Sequence, residues 1–169
     1  GWTDIPLTKK GLDEAKQISK FLIQNKIQPN VYFTSVLKRC INTTHVIRDL
    51  VDSKFKTKSD IYTSWRLNEK HYGCLEGVPR DEIRGSFGKK FTSMMRNNFY
   101  MKPPVIEENE LPKKCNQYPI FRNCYYESIK YGESKENVLS RLLPYYENDI
   151  LYSFQLNQIP MIVTHKHCV

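Results

Sequence analysis

Trp65-Arg66-Leu67-Asn68-Glu69-Lys70-His71-Tyr72-Gly73 has neither the 3.6-residue period of a helix nor the alternation of a strand. It nevertheless concentrates a carboxylate, an imidazole, a phenol and two cationic side chains in nine residues. The stretch just before it, Ile61 to Trp65, reads as a strand. A charged, aromatic loop leaving a strand is where α/β proteins keep their chemistry, because the sheet fixes the loop's root while its side chains stay accessible.

Reading upstream, Thr8 caps a helix running to about Asn25, with Leu12, Ala15, Ile18 and Leu22 on one apolar face. Pro29-Asn30 breaks the chain, and Val31-Tyr32-Phe33 reads as a short buried strand. Ser35 is expected to cap a second helix with a stripe of Cys40, Thr44, Ile47 and Val51. Downstream, Pro79 starts a short helix and another spans Lys89 to Asn97. Residues 102 to 132, rich in Pro, Asn, Tyr and charge, read as a long excursion, and a loop of that length is functional or mobile. Ser134 caps a last helix carrying Val138, Leu142, Tyr146 and Ile150, which Pro144 should kink. Met161-Ile162-Val163 reads as a buried strand with His165 just past its end.

The alternation of helices and strands predicts an α/β fold: three layers, a mostly parallel sheet with helices on both faces. One domain over residues 1–169 is expected, with 79–132 as an insertion or lid over the active site. The chain opens directly into a loop and helix and stops just after a strand. Both ends therefore read as cut from something larger, and a sheet lacking a strand is expected to be weakly stable.

The length of 169 residues and an apolar content of 40% suit one folded domain. Apolar runs are only a few residues long, so no membrane span is expected. The net charge of +8 fits either a basic solvated surface or a site for a polyanion, nucleic acid or phosphorylated metabolite. No RNA- or DNA-binding motif appears, so no nucleic-acid partner is expected. Five cysteines without CxxC spacing (Cys40, Cys74, Cys115, Cys124, Cys168) read as reduced thiols of a cytoplasmic protein and not as a metal site.

Four features can carry chemistry. Ser35 to Arg39 follows a strand and opens a helix, a geometry that binds anions or is simply a capped helix with basic residues in solvent. The loop at Glu69, His71 and Tyr72 offers general acid/base groups, or is an ordinary solvated loop; His71 reads as structural or loop-exposed. His165 is a ligand, nucleophile or electrostatic stabiliser, or is incidental. Arg80 and Arg96 are solvated, or with Arg39 form a basic pocket for a phosphate and a carboxylate.

Taken in order, these segments resemble the cofactor-dependent phosphoglycerate mutases of the histidine phosphatase-like superfamily. Gly1-Trp2-Thr3-Asp4 with Leu7-Thr8 and Gly11 is similar to the family's G-W-x-D…L-[ST]-x-x-G, and Phe33 to Arg39 to its F-T-S-x-x-x-R. Trp65 to Gly73 followed by Leu75-Glu76-Gly77 resembles W-[RK]-L-N-E-[RK]-H-Y-G-x-L-x-G, the longest and most specific match. Phe99 with Pro103 and Pro104, Glu133-Ser134 and Thr164-His165 complete the order.

The resemblance implies a reaction: 2- and 3-phosphoglycerate interconvert in glycolysis through a phosphohistidine, primed by 2,3-bisphosphoglycerate and needing no metal. It also implies roles. Arg39 would hold the transferring phosphoryl group, His165 would stabilise its charge, and Glu69 would be the acid/base for the substrate hydroxyl. Gly1, Tyr72, Arg80, Arg96 and Asn97 would bind the phosphate and carboxylate of a small phosphorylated sugar acid. Family members are commonly dimers or tetramers, so a homo-oligomer is implied.

The sequence departs from the pattern in three places. No Arg-His-Gly occurs, so the phosphate-accepting histidine is not in these residues, and no mutase turnover is expected of them alone. Arg96-Asn97 stands where the family has two arginines, and His165-Lys166-His167 where it has His-Gly-Asn. A phosphatase acting on another small phosphorylated metabolite, or a non-catalytic relative used for binding or assembly, are the alternatives these departures favour.

Overall fold

The computed structural model describes residues 1–105, 107 and 131–169. Most of the long excursion expected over 102–132 therefore lies outside the described residues, as do Cys115 and Cys124. The chain divides into two compact units, Gly1–Thr3 with Glu69–Arg141, and Asp4–Asn68 with Leu142–Val169. The segment 79–132 falls inside the first.

The second unit holds the sheet. Helix α1 spans Lys9–Gln24, and the Thr8 hydroxyl caps it by accepting from Gly11 N at 3.0 Å. Its buried side is Ala15, Ser19 and Leu22. Ile18, read as part of that face, is 41% exposed, because the helix is rolled so that Ser19 bonds back to Ala15 O (2.9 Å) inside the core. Strand β1 spans Val31–Thr34 and is buried along its whole length.

Helix α2 spans Lys38–Phe55 and buries Cys40, Thr44, Ile47 and Val51, the stripe its spacing predicts. Ser35 does not cap it. The helix starts three residues later, after Leu37 in an extended conformation, and its first N–H, Lys38 N, donates instead to Asp4 Oδ1 at 2.7 Å. The Ser35 hydroxyl is committed elsewhere, as described below.

Strand β2 is Asp60–Thr63, so Trp65 lies beyond it in a single 3₁₀ turn, Trp65–Leu67. Strand β3 is Pro160–Val163. The order is β2-β1-β3 and both pairings are parallel, with Tyr32 opposite Ile61 on one side and Met161 on the other.

Side chains alternate across β1, so its two faces build two cores. Tyr32 joins Ala15 and Leu22 of α1 and Ile47 and Val51 of α2. Val31 and Phe33 join Leu67 and Ile150, with Leu142 and Tyr145 packed against them. Helices thus cover both faces, the three-layer α/β arrangement expected. Each buried Val, Leu, Ile or Phe side chain among them contributes about 1.5–3 kcal/mol. Strand β3 differs from expectation: Ile162 is 40% exposed, because in the described residues β3 forms the edge of the sheet.

Helix α4 spans Lys135–Tyr145 and carries Pro144. Pro144 does not end it. A π-helical turn, Tyr146–Ile150, follows at once and runs into α5, Leu151–Gln155. A proline removes one N–H donor and crowds the preceding turn, and the wider i→i+5 turn relieves that conflict. The turn also brings Tyr145, instead of the expected Tyr146, onto Phe33 at a ring separation of 6.2 Å.

In the first unit, helix α3 spans Arg80–Asn97 with a kink at Gly88 (φ 80°), which divides it into the two short helices foreseen. Its buried Ile83 and Met95 pack with Tyr72 and Leu75. Gly73 and Gly132 lie back to back, each with positive φ. A Cβ on Gly73 would stand 2.5 Å from Pro104 O, and one on Gly132 would run into the Pro103 ring. Only glycine fits either position.

Candidate active site

The residues singled out from sequence fall into two sets. The first unit carries Gly1, Glu69, Tyr72, Arg80, Arg96 and Asn97; the second carries Arg39 and His165.

The loop from Glu69 to Glu76 is not an ordinary solvated loop. Lys70, His71, Tyr72 and Glu76 are all buried. Glu69 is half-buried, and its Oε1 accepts from its neighbour Lys70 N at 2.8 Å. Its backbone carbonyl accepts from Trp2 Nε1 (2.5 Å) and Arg141 Nη2 (3.0 Å). Lys70 is fully buried and donates from Nζ to Met95 O at 2.6 Å, the C-terminal end of α3, where carbonyls lack helical partners. Burial, with Lys135 and Arg96 nearby, pushes the Lys70 ammonium down to about 8 against the pull of Glu133 and Glu69.

His71 is structural. Its Nδ1 accepts from Gly73 N at 3.1 Å, which puts the ring proton on Nε2. Burial holds its pKa below the usual histidine value, overcoming Glu76 and Glu133, so the ring is neutral at pH 7. It stands edge-on to Trp2 with ring centroids 5.1 Å apart. Glu76 is a buried anion. Burial alone would raise it, but the N–H groups of Tyr72 and Thr3, each donating at 3.0 Å, hold it below the usual carboxylate range.

Tyr72 and Arg96 do come together, with the guanidinium 5.4 Å from the ring centroid. Burial pushes the Tyr72 phenol up to about 12; Arg96 lowers it, Glu69 and Glu76 raise it, and Arg80 lowers it. Tyr72 is therefore a protonated hydrogen-bond donor at neutral pH. Arg80 is exposed as the first residue of α3, and Arg96 is half-buried in its last turn. Asn97 points along the exposed side of that turn, 3.4 Å from Ser93 Oγ. A carboxylate, a phenol and two guanidiniums around one loop can bind an anion and move a proton beside it.

In the second unit His165 is buried. Its Nε2 lies 2.9 Å from Ser35 Oγ and 3.2 Å from Cys40 Sγ. Ser35 is fully buried, and its oxygen also accepts from Leu37 N at 3.3 Å. Arg39 stands in the first turn of α2, half-buried, beside Cys40. Sequence reasoning placed Cys40 in a core stripe and Ser35 in a cap, and missed that both serve the His165 ring. Among the described residues Cys40, Cys74 and Cys168 carry no disulfide, and no group of three or more His, Cys, Asp or Glu is placed to hold a metal ion. No helix there is long and apolar enough to cross a membrane.

The pattern of the histidine phosphatase superfamily (branch 1) matches residues 1–169. The chain belongs to that family. Within this superfamily it is 33% identical over 150 residues to a 2,3-bisphosphoglycerate-dependent phosphoglycerate mutase of Hydrogenobaculum, covering 89% of this chain and 59% of the relative. It is 35% identical over 165 residues to the Buchnera aphidicola protein of the same name, covering 98% and 70%. The chain spans 59% and 64% of the length of the Hydrogenobaculum and Bifidobacterium longum mutases it matches. Two solved structures share its fold. The Bacillus anthracis phosphoglycerate mutase has a TM-score of 0.64 at 20% identity, covering 98% of this chain and 66% of that one. A mycobacterial glucosyl-3-phosphoglycerate phosphatase has a TM-score of 0.67 at 17% identity, covering 99% and 66%.

Proposed function

We propose that the protein containing this chain is a 2,3-bisphosphoglycerate-dependent phosphoglycerate mutase that interconverts 2- and 3-phosphoglycerate. The observation that carries this reading is the Glu69–Tyr72–Arg80–Arg96 constellation, built on the Trp65–Gly73 run that resembles the mutases. Curated mutases 32–35% identical to the chain support it.

In this reading the phosphoryl group passes from its donor oxygen to a histidine nitrogen not among residues 1–169 and from there to a substrate hydroxyl, and each transfer needs positioned positive charge around the phosphoryl oxygens. Arg39 supplies that charge, and His165, held by Ser35 and Cys40, adds an oriented N–H. Glu69 exchanges a proton with the substrate hydroxyl. Tyr72 and Arg96 bind carboxylate or phosphate oxygens, Arg80 adds charge from the start of α3, and Gly1 adds a backbone N–H. The first unit's Tyr72, Arg80 and Arg96 suit an anion such as 2,3-bisphosphoglycerate, which when bound supplies the first phosphoryl group. No metal, nucleic acid or membrane enters this reading, and a homo-oligomer in the cytoplasm accompanies it.

A second reading, a histidine-type phosphatase on another small phosphorylated metabolite, is favoured by Asn97 and Lys166, where the mutase pattern has arginine and glycine. One experiment separates them: a mutase assay with the bisphosphoglycerate primer on the longest natural form of the protein. Isomerisation reduced about 10²-fold or more by Glu69→Gln supports the mutase. Phosphate release without isomerisation supports the phosphatase. Neither activity, with an Arg-His-Gly present upstream, supports a binding relative.

A further inference from the structure

Glu133 and Arg141 form a buried ion pair for which the proposed reaction has no direct use. Their side chains are 1% and 7% exposed. Arg141 Nε donates to Glu133 Oε1 at 2.7 Å and Nη2 to Oε2 at 3.1 Å, a bidentate pair. Both partners spend their remaining capacity on one short backbone segment. Arg141 Nη2 donates to Glu69 O at 3.0 Å. Glu133 Oε2 accepts from His71 N at 2.9 Å, and Glu133 N donates to His71 O at 2.9 Å. Trp2 Nε1 adds a second donor to the Glu69 carbonyl.

The peptide groups on either side of Lys70 are thus pinned by the pair, and the Lys70 side chain is tied down at Met95 O. The Glu69 carboxylate is left folded onto the one backbone N–H between those pins, Lys70 N, at 2.8 Å. A buried pair that served only stability would be replaceable by apolar packing at little cost. This one instead directs three hydrogen bonds into the segment that bears the candidate acid/base.

We propose that Glu133 and Arg141 are positioning residues for Glu69: they fix its backbone so that its carboxylate keeps one direction. The proposal rests on the reading of Glu69 as the acid/base of the mutase. Misplacing a reacting group by about 1 Å costs on the order of 10²-fold in rate.

The test uses the longest natural form of the protein and the variants Arg141→Lys and Glu133→Gln, which keep volume and part of the hydrogen bonding. The first arm is amide hydrogen exchange, which does not depend on activity. Lys70 N–H exchange should accelerate at least about 10-fold in Arg141→Lys, while the β1 amides Tyr32 and Phe33 stay within about 2-fold. Unchanged Lys70 exchange, or acceleration equal at all amides, overturns the proposal. The second arm is steady-state kinetics per folded molecule with 3-phosphoglycerate. The expected result is kcat down about 10–100-fold with KM within about 3-fold, and a smaller loss in Arg141→Lys than in Arg141→Met. An unchanged kcat beside altered Lys70 exchange also overturns it. If the wild-type protein shows no mutase turnover, the functional reading fails, and the exchange arm still decides whether the pair positions Glu69.

Discussion

Cys40 Sγ and Ser35 Oγ both approach one atom, His165 Nε2, at 3.2 and 2.9 Å. The Ser35 oxygen already accepts from Leu37 N, so its proton is available to the imidazole. Removing the hydroxyl takes the nearer of two partners from a buried ring nitrogen, which costs about 1–2 kcal/mol. Ser35→Ala is therefore expected to destabilise the protein by that amount, and Cys40→Ala by less, since a thiol is the weaker hydrogen-bonding group. Because they share a partner, the double variant should depart from additivity by about 0.5 kcal/mol or more. Urea unfolding of the four proteins measures this; strict additivity would count against a shared nitrogen.

Stability should rise and then fall with pH on the alkaline side. Lys70 is at about 8 in the folded protein against 10.5 when unfolded, so between those values the unfolded chain binds more protons. Stability therefore climbs from pH 8 toward 10.5, by on the order of 2–3 kcal/mol for Lys70 alone. Tyr32, Tyr72 and Tyr145 shift the other way, from 10.0 to about 12, chiefly by burial, so above pH 10 the folded state binds more protons and stability declines. Lys70→Met should flatten the rise between pH 8 and 10 and leave the decline in place. Denaturant midpoints from pH 7 to 11 give the comparison, and a Lys70→Met curve parallel to wild type would defeat the assignment.

Gly85 and Gly88 lie three apart (i and i+3) in α3, both exposed, and an added Cβ meets nothing within 4 Å at either. Their backbones differ: Gly88 has φ 80°, whereas Gly85 is helical. Gly85→Ala should stabilise the protein by about 0.5–1 kcal/mol through helix propensity. Gly88→Ala should destabilise it by about 1 kcal/mol, since an L side chain disfavours that φ. Thermal melts that moved both variants in the same direction would show that the kink does not govern the difference.

Asp52 joins the end of α2 to the start of β2. Its carboxylate accepts from Ser59 N (2.8 Å), Ser59 Oγ (2.7 Å) and Thr57 Oγ1 (3.0 Å). Ser59 is buried, so Asp52→Ala strands donors away from water and should cost about 2–4 kcal/mol. Asp52→Asn keeps one acceptor oxygen and should cost roughly half of that. Chemical denaturation with an unchanged m-value tests it; a loss under about 0.5 kcal/mol for Asp52→Ala would refute the bridge.

Local signals were legible in the sequence because local forces set them. The Thr8 cap and the spacing of Leu12, Ala15 and Leu22 located α1 to within a residue at each end, and the Cys40, Thr44, Ile47, Val51 stripe identified the buried side of α2. The Trp65–Gly73 run marked the loop that carries Glu69 and Tyr72, since no regular period explains so many functional side chains in a row. Tertiary structure decided what depends on distant partners. A three-residue apolar run carries no period to separate a central strand from an edge one, so only pairing set β1 between β2 and β3. Ser35 looked like a cap until His165, 130 residues away, claimed its hydroxyl. Arg141, a charge on the buried side of α4 beside Val138, gave a faint signal. Its meaning came only when folding brought Glu133, eight residues away, and the Glu69 carbonyl, 72 residues away, within hydrogen-bond reach.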